Sequence, residues 1–121
     1  MLSVEEATVV RRSAQALVSR DRLELGIASS GRLDLRRAYT EGDLDLWFSL
    51  SAFADNASLY EQLLRVSGNA EGLSLAGKAL IGAARRVDTA MQQGSARPST
   101  QLRNAWSSVR AQLMEIDANY R

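Results

Sequence analysis

Apolar residues recur along the chain at intervals of three and four, the spacing that lays one stripe along an α-helix. The first stripe is Val4, Ala7, Val10, Ala14, Leu17 or Val18, and Leu25. At its head stands Ser3-Val4-Glu5-Glu6, an S-x-x-E capping box in which the Ser3 hydroxyl takes the Glu6 amide and the Glu6 carboxylate takes the Ser3 amide. The pattern predicts a helix from there to Gly26 or Gly31. A second stripe holds Leu46 or Trp47, Leu50, Phe53 or Ala54, Ala57, Tyr60 and Leu63 or Leu64. It starts after Thr40 or Gly42, with Asp43 and Asp45 placing negative charge near the positive end of the helix dipole, and Ser67-Gly68-Asn69 stops it. The third runs from about Glu71 to Gln93, with Leu73, Ala76, Leu80, Ala83, Val87 and Met91 on one face and Gly94 at its end. Arg97-Pro98-Ser99 sets the start of the fourth, because proline is tolerated in a first turn and serine caps well. Its stripe, Leu102, Ala105 or Trp106, Val109, Leu113, Ile116 and Tyr120, keeps a coiled-coil-like spacing throughout.

Four helices of roughly 20 to 25 residues are about 30 to 37 Å long each. A compact sphere of this chain length has a radius of gyration near 14 Å, which such helices do not fit. They fit an all-α, elongated up-down-up-down antiparallel four-helix bundle, with residues 1–121 forming a single domain. Between the first two stripes, Ala28 to Gly42 is left unassigned. Leu33, Leu35, Ala38 and Tyr39 suit a short helix, or the first helix runs through its glycines. Connections in bundles usually span about 2 to 8 residues, so one this long invites a functional reading.

The third helix is lean, with Ala76, Gly77, Ala79, Gly82, Ala83, Ala84 and Ala90. In the bundle Trp47 and Trp106 lie near one end on diagonal, parallel helices. Both indoles are therefore expected near the core there, filling the volume that the small residues leave. The functional alternative is that this tryptophan layer lines a ligand pocket.

Composition narrows the chemistry. The chain of 121 residues contains no cysteine and no histidine. Thiolate nucleophiles, disulfides, zinc sites, imidazole bases, Ser-His-Asp triads and His-ligated metals or haem are excluded. The Glu-x-x-His pairs of dinuclear metal bundles cannot exist here, and Asp43-x-Asp45 lacks the further ligands of a calcium loop. The segment from Gly72 to Lys78 resembles a phosphate loop only superficially, because the following Ser or Thr is absent. No metal and no cofactor is expected.

Charge narrows the partners. Fifteen basic residues stand against 14 acidic ones, a net of +1, which gives no long-range attraction to nucleic acid or an anionic membrane. All of the basic residues except Lys78 are arginine. The longest apolar run, Ala79 to Ala84 with Gly82 included, is far short of the roughly 20 residues that span a bilayer, so membrane insertion is not expected. The opening residues lack a basic region followed by an apolar stretch, and read as a cytoplasmic start or as a mature fragment behind an added Met. The pairs Arg11-Arg12, Arg36-Arg37 and Arg85-Arg86 suit the edges of buried stripes, their stems over apolar surface and their heads in water. Glu61 with Arg65 and Asp117 with Arg121 are favourably ordered i, i+4 pairs. In the unassigned connection, Arg32, Arg36, Arg37 and Tyr39 are the candidates for a small anion or partner contact, partly offset by Asp34, Glu41 and Asp43.

Trp106-x-x-Val109-Arg110-x-x-Leu113-x-x-Ile116-x-x-x-Tyr120, preceded by Val87-Asp88-x-x-Met91, resembles the end of a group of exported bacterial helical proteins of unknown function. Their last helix carries W-x-x-[LV]-R-x-[DQ]-L and a late Tyr, after a helix ending in an Asp and a Met. Gln112 stands here where an Asp is frequent, and Ala118 and Asn119 replace a small-residue run. The resemblance implies an extracytoplasmic bundle whose signal peptide has been removed, and supplies no catalytic residue; without it the compartment reads as cytoplasmic. A continuous core stripe on every helix and no reactive constellation lead to the expectation of a non-enzymatic protein-interaction or scaffolding module, with a protein partner or a second copy as its target. The alternative is a ligand-sensing bundle that uses the Trp47 and Trp106 end and the Arg-rich connection.

Overall fold

The structure, a computed structural model, describes residues 2–66, 70–116 and 120. Four α-helices follow one another, α1 (Val4–Leu25), α2 (Glu41–Arg65), α3 (Ala70–Gln92) and α4 (Thr100–Ile116), and chain neighbours pack antiparallel as an up-down four-helix bundle. At 25 residues, α2 is about 38 Å long.

Local chemistry sets the helix ends. Ser3 caps α1 through the complete box: its N–H donates to Glu6 Oε1 at 3.0 Å and its hydroxyl accepts the Glu6 N–H at 3.1 Å. At the other end Gly26 takes the left-handed conformation, φ 70°. The Ile27 N–H then reaches back to the Arg22 carbonyl at 2.9 Å, the wrap-around stop that glycine permits, and Ile27 is buried behind it. Thr40 caps α2 by accepting the Asp43 N–H at 3.0 Å, and Ser99 caps α4 by accepting the Leu102 N–H at 3.1 Å. The stop expected at Ser67-Gly68-Asn69 and the pair Asp117 with Arg121 lie outside the described residues.

Neither a short helix nor a run-through of α1 forms between the first two helices. Residues 26–39 make only turns, because Gly26 ends α1 and Gly31, φ 85°, reverses the chain again. The fourth stripe also ends differently from expectation: α4 is described to Ile116, and Tyr120 lies outside the helix yet is fully buried.

The core is built from one face of each helix: Ala7, Val10, Ala14 and Leu17; Leu46, Leu50, Phe53 and Tyr60; Leu80, Ala84 and Val87; Leu102, Trp106, Val109 and Leu113. Their spacing of three and four is the one read from the sequence. Packing is uneven. α2 rests extensively on α3 and on α1, whereas α4 touches α1 less and α3 only slightly at the backbone level. Small residues explain the close pairs: Ala83, Ala84 and Ala90 are buried on α3, and Gly77 sits beside the Tyr60 ring. The filling groups are thus Tyr60 and Phe53 together with Trp106. Trp47 is only half-buried and has no ring contact with Trp106 among the described residues, so the expected pair of tryptophans does not form a layer.

Candidate functional site

The Arg-rich connection is organised by Tyr39. Its hydroxyl donates to the Leu25 carbonyl and accepts the Asp34 N–H, each at 3.0 Å, which pins the connection to the end of α1. Asp34 Oδ1 in turn accepts the Arg36 N–H at 3.0 Å. The Arg37 guanidinium lies 5.8 Å from the Tyr39 ring centre, a cation–π distance. Arg32, Arg36 and Arg37 are exposed, and Leu35 beside them is 93% exposed. Arg37 and Tyr39 are therefore brought together, and among the described residues no hydrogen bond, ring contact or cation–π contact joins any of the four candidates of this connection to Trp47 or Trp106.

Trp106 is buried elsewhere, in a cluster centred on Asp88 of α3. Its ring meets Phe53 edge to face, with centroids 5.1 Å apart, and its Nε1–H donates to Asp88 Oδ1 at 2.8 Å. Arg110 Nε donates to Asp88 Oδ2 at 3.3 Å, and the Tyr120 hydroxyl donates to the same oxygen at 2.7 Å. The Arg110 guanidinium also lies 5.1 Å from the Tyr120 ring centre, with Arg85 at 5.9 Å. Burial first, and then the bond to Asp88, push the Tyr120 phenol well above its ordinary pKa, so it stays a donor. Asp88, Trp106, Arg110 and Tyr120, the polar and aromatic residues of the terminal motif, thus meet at one carboxylate. The cluster has its donors and acceptors matched to one another, which is the chemistry of a structural tie between two helices whose backbones scarcely touch.

The open surface lies along α1 and α4. A cleft of about 410 Å³ near Leu2, Glu5, Val9 and Glu115 continues past Gln112 into one of about 270 Å³ between Ser13, Ala16, Ala105 and Ser108. Glu5, Glu6 and Glu115 rim one end; Arg20, whose guanidinium donates to Gln101 Oε1, marks the other. Gln112 Oε1, where the two clefts join, has no partner. Neither tryptophan lines any of the described clefts, a third of which lies between α1 and α2 and a fourth, with Phe48 and Arg86, between α2 and α3.

Two residues with structural roles do not stand out in the helical pattern of the sequence. Asp21 occupies the stripe position between Leu17 and Leu25 and is 3% exposed. Burial, then the charges of Glu24 and Asp43, raise its pKa to about 7. The available signal was a charged residue on the i+4 register of an apolar stripe. Gly42 is the other, and local sequence holds no sign of its role. Its N–H donates to Ser95 Oγ at 2.8 Å, and a Cβ there would collide with the Ser95 and Ala96 backbone. Of the paired arginines, Arg11 bridges α1 to Glu61 of α2 at 2.8 Å, closer than the 4.0 Å between Glu61 and Arg65.

Among the described residues no group of three carboxylates is placed to hold a metal ion, and no helix is long and apolar enough to cross a membrane. No family model matches the chain, and no curated protein or solved structure is significantly similar to it.

Proposed function

We propose that the protein is a non-enzymatic interaction or scaffolding module that receives a helix of a protein partner, a second copy of the chain included, in the groove between α1 and α4. The observation that carries this reading is the groove itself: two adjoining clefts of about 410 and 270 Å³ along a seam, α1 with α4, that packs less closely than either seam of α2. Its walls are short side chains, Ser13, Ala16, Ala105 and Ser108, which admit close backbone approach, and its ends carry opposite charge, which orients a guest. The absence of histidine and cysteine from the sequence supports a surface role over a catalytic one. Ligand sensing by the tryptophans has less support, because Trp106 is already engaged by Phe53 and Asp88.

Photo-crosslinking from position 105, compared with position 62 on the outside of α2, tests the reading. Discrete adducts are expected from position 105 and are lost when Ala16 is replaced by Arg; sedimentation then tells a second copy from a different protein. Equal adduct yields from the two positions would sink it.

A further inference from the structure

The junction between α3 and α4 is tied down almost wholly by the ends of two other helices. From α2, Thr40 Oγ1 donates to the Ser95 carbonyl at 2.6 Å, Asp45 Oδ2 accepts the Gln93 side-chain N–H at 2.8 Å, and Asp43 Oδ1 accepts the Arg97 N–H at 3.0 Å. From α1, Glu24 grips Ser99, the cap of α4, with both oxygens: Oε1 accepts its N–H at 3.1 Å and Oε2 its hydroxyl at 2.7 Å. Asp21 lies within the field of the two acids that do this work, Glu24 and Asp43, and its Oδ2 is buried without a partner.

The charged surroundings of Asp21 are one-sided. From its own helix the acting group is Glu24 and from α2 it is Asp43, both negative, and among the described residues no arginine offsets them. Arg20, its chain neighbour, turns to Gln101, and Arg22 stands half-buried in the last turn of α1. In the connection Arg97 is exposed; the first ionisable residue along α4 is Arg103, turned to the Met91 carbonyl at 3.4 Å. The last turn of α3, residues 89–92, holds no ionisable group.

We propose that Asp21 is a proton-operated latch: protonated, it lets the 93–99 connection and the first turn of α4 close onto α1 and α2, and ionised, it favours their release. A third negative charge placed in a dry site beside two carboxylates is relieved most directly by admitting water. The piece that Glu24 and Asp43 hold by hydrogen bonds, at Arg97 and Ser99, is the connection, which has no helix of its own. Release frees the start of α4, which has little backbone packing on α3 to hold it.

In the closed state the Asp21 carboxyl titrates near 7, against about 4 when it is open to water. Between those values the closed state holds a proton that the open state has lost. Closure therefore weakens steadily as pH rises through that window and levels off above it, where both states are ionised.

The chain has no cysteine, so Ala96→Cys, at a buried position of the connection, introduces a single thiol. Its protection against a dithiodipyridine reagent, normalised to the urea-unfolded chain at each pH, is expected to fall about tenfold per pH unit from roughly 5 to 6.5 and to flatten above 7. Adding Asp21→Asn is expected to make protection independent of pH, with far-UV circular dichroism unchanged throughout. The proposal is overturned by a flat profile with Asp21 present, by the same slope with Asp21→Asn, or by helix loss that tracks deprotection. Acrylamide quenching of Trp106 in a Trp47→Phe chain provides a second readout without the thiol, and must show the same dependence on Asp21.

Discussion

At Asp88 one carboxylate receives an indole N–H, a guanidinium N–H and a phenol O–H. Removing the acceptor strands two donors that the fold has taken from water, while removing one donor leaves the acceptor still served. Asp88→Ala is therefore expected to cost about 3 kcal/mol and Tyr120→Phe about 1 to 2 kcal/mol. The double variant should cost about 1 kcal/mol less than the sum, since the two share a bond. Urea unfolding followed by circular dichroism measures all three, and an unchanged midpoint for Tyr120→Phe would show that the phenol is not seated. Residues of this kind were half legible. Asp88, Trp106, Arg110 and Tyr120 stood out as a motif, but spacing along two helices says nothing of which carboxylate they share. Asp21 was hidden by the opposite fault, since a stripe is read by its apolar members and the exception is skipped.

Elements were legible where their signals are local. The capping box of Ser3 and Glu6 acts over three residues, and the αL stop at Gly26 needs only the glycine and its neighbours, so both ends of α1 could be placed. The 26–39 connection could not, because its turns depend on Tyr39 reaching Leu25 across fourteen positions. Gly42 is the sharper case. Its neighbours in sequence mark a helix start but not the close approach that separates it from Gly82: the Ser95 and Ala96 backbone lies directly against it. Gly42→Ala is expected to destabilise by about 2 kcal/mol or more, since backbone must move aside. Gly82→Ala, in the interior of α3 with open space before it, should stabilise by about 0.5 to 1 kcal/mol. Thermal melts of the two variants beside the parent decide it; equal shifts in one direction would contradict the close approach at Gly42.

For the whole molecule, near-neutral charge leaves association to shape and short-range contact. The bundle is closed by side chains more than by backbone on its α4 side, and by both on the sides of α2. The 26–39 connection is instead mostly exposed and carries Arg32, Arg36 and Arg37 on a non-helical path. Trypsin is expected to cut there before anywhere else in the described chain, since a protease needs extended, accessible backbone. The products should nonetheless elute together by size exclusion, because α1 keeps its apolar face against α2 and its Arg11 bridge to Glu61. Separate elution, or a first cut within a helix, would contradict this. A bundle that survives the cut is a two-piece assembly in which the first helix is interchangeable. A synthetic peptide of residues 1–31, bearing an isotope, a fluorophore or an unnatural side chain at any chosen position, could then be exchanged into the remaining three helices by mixing.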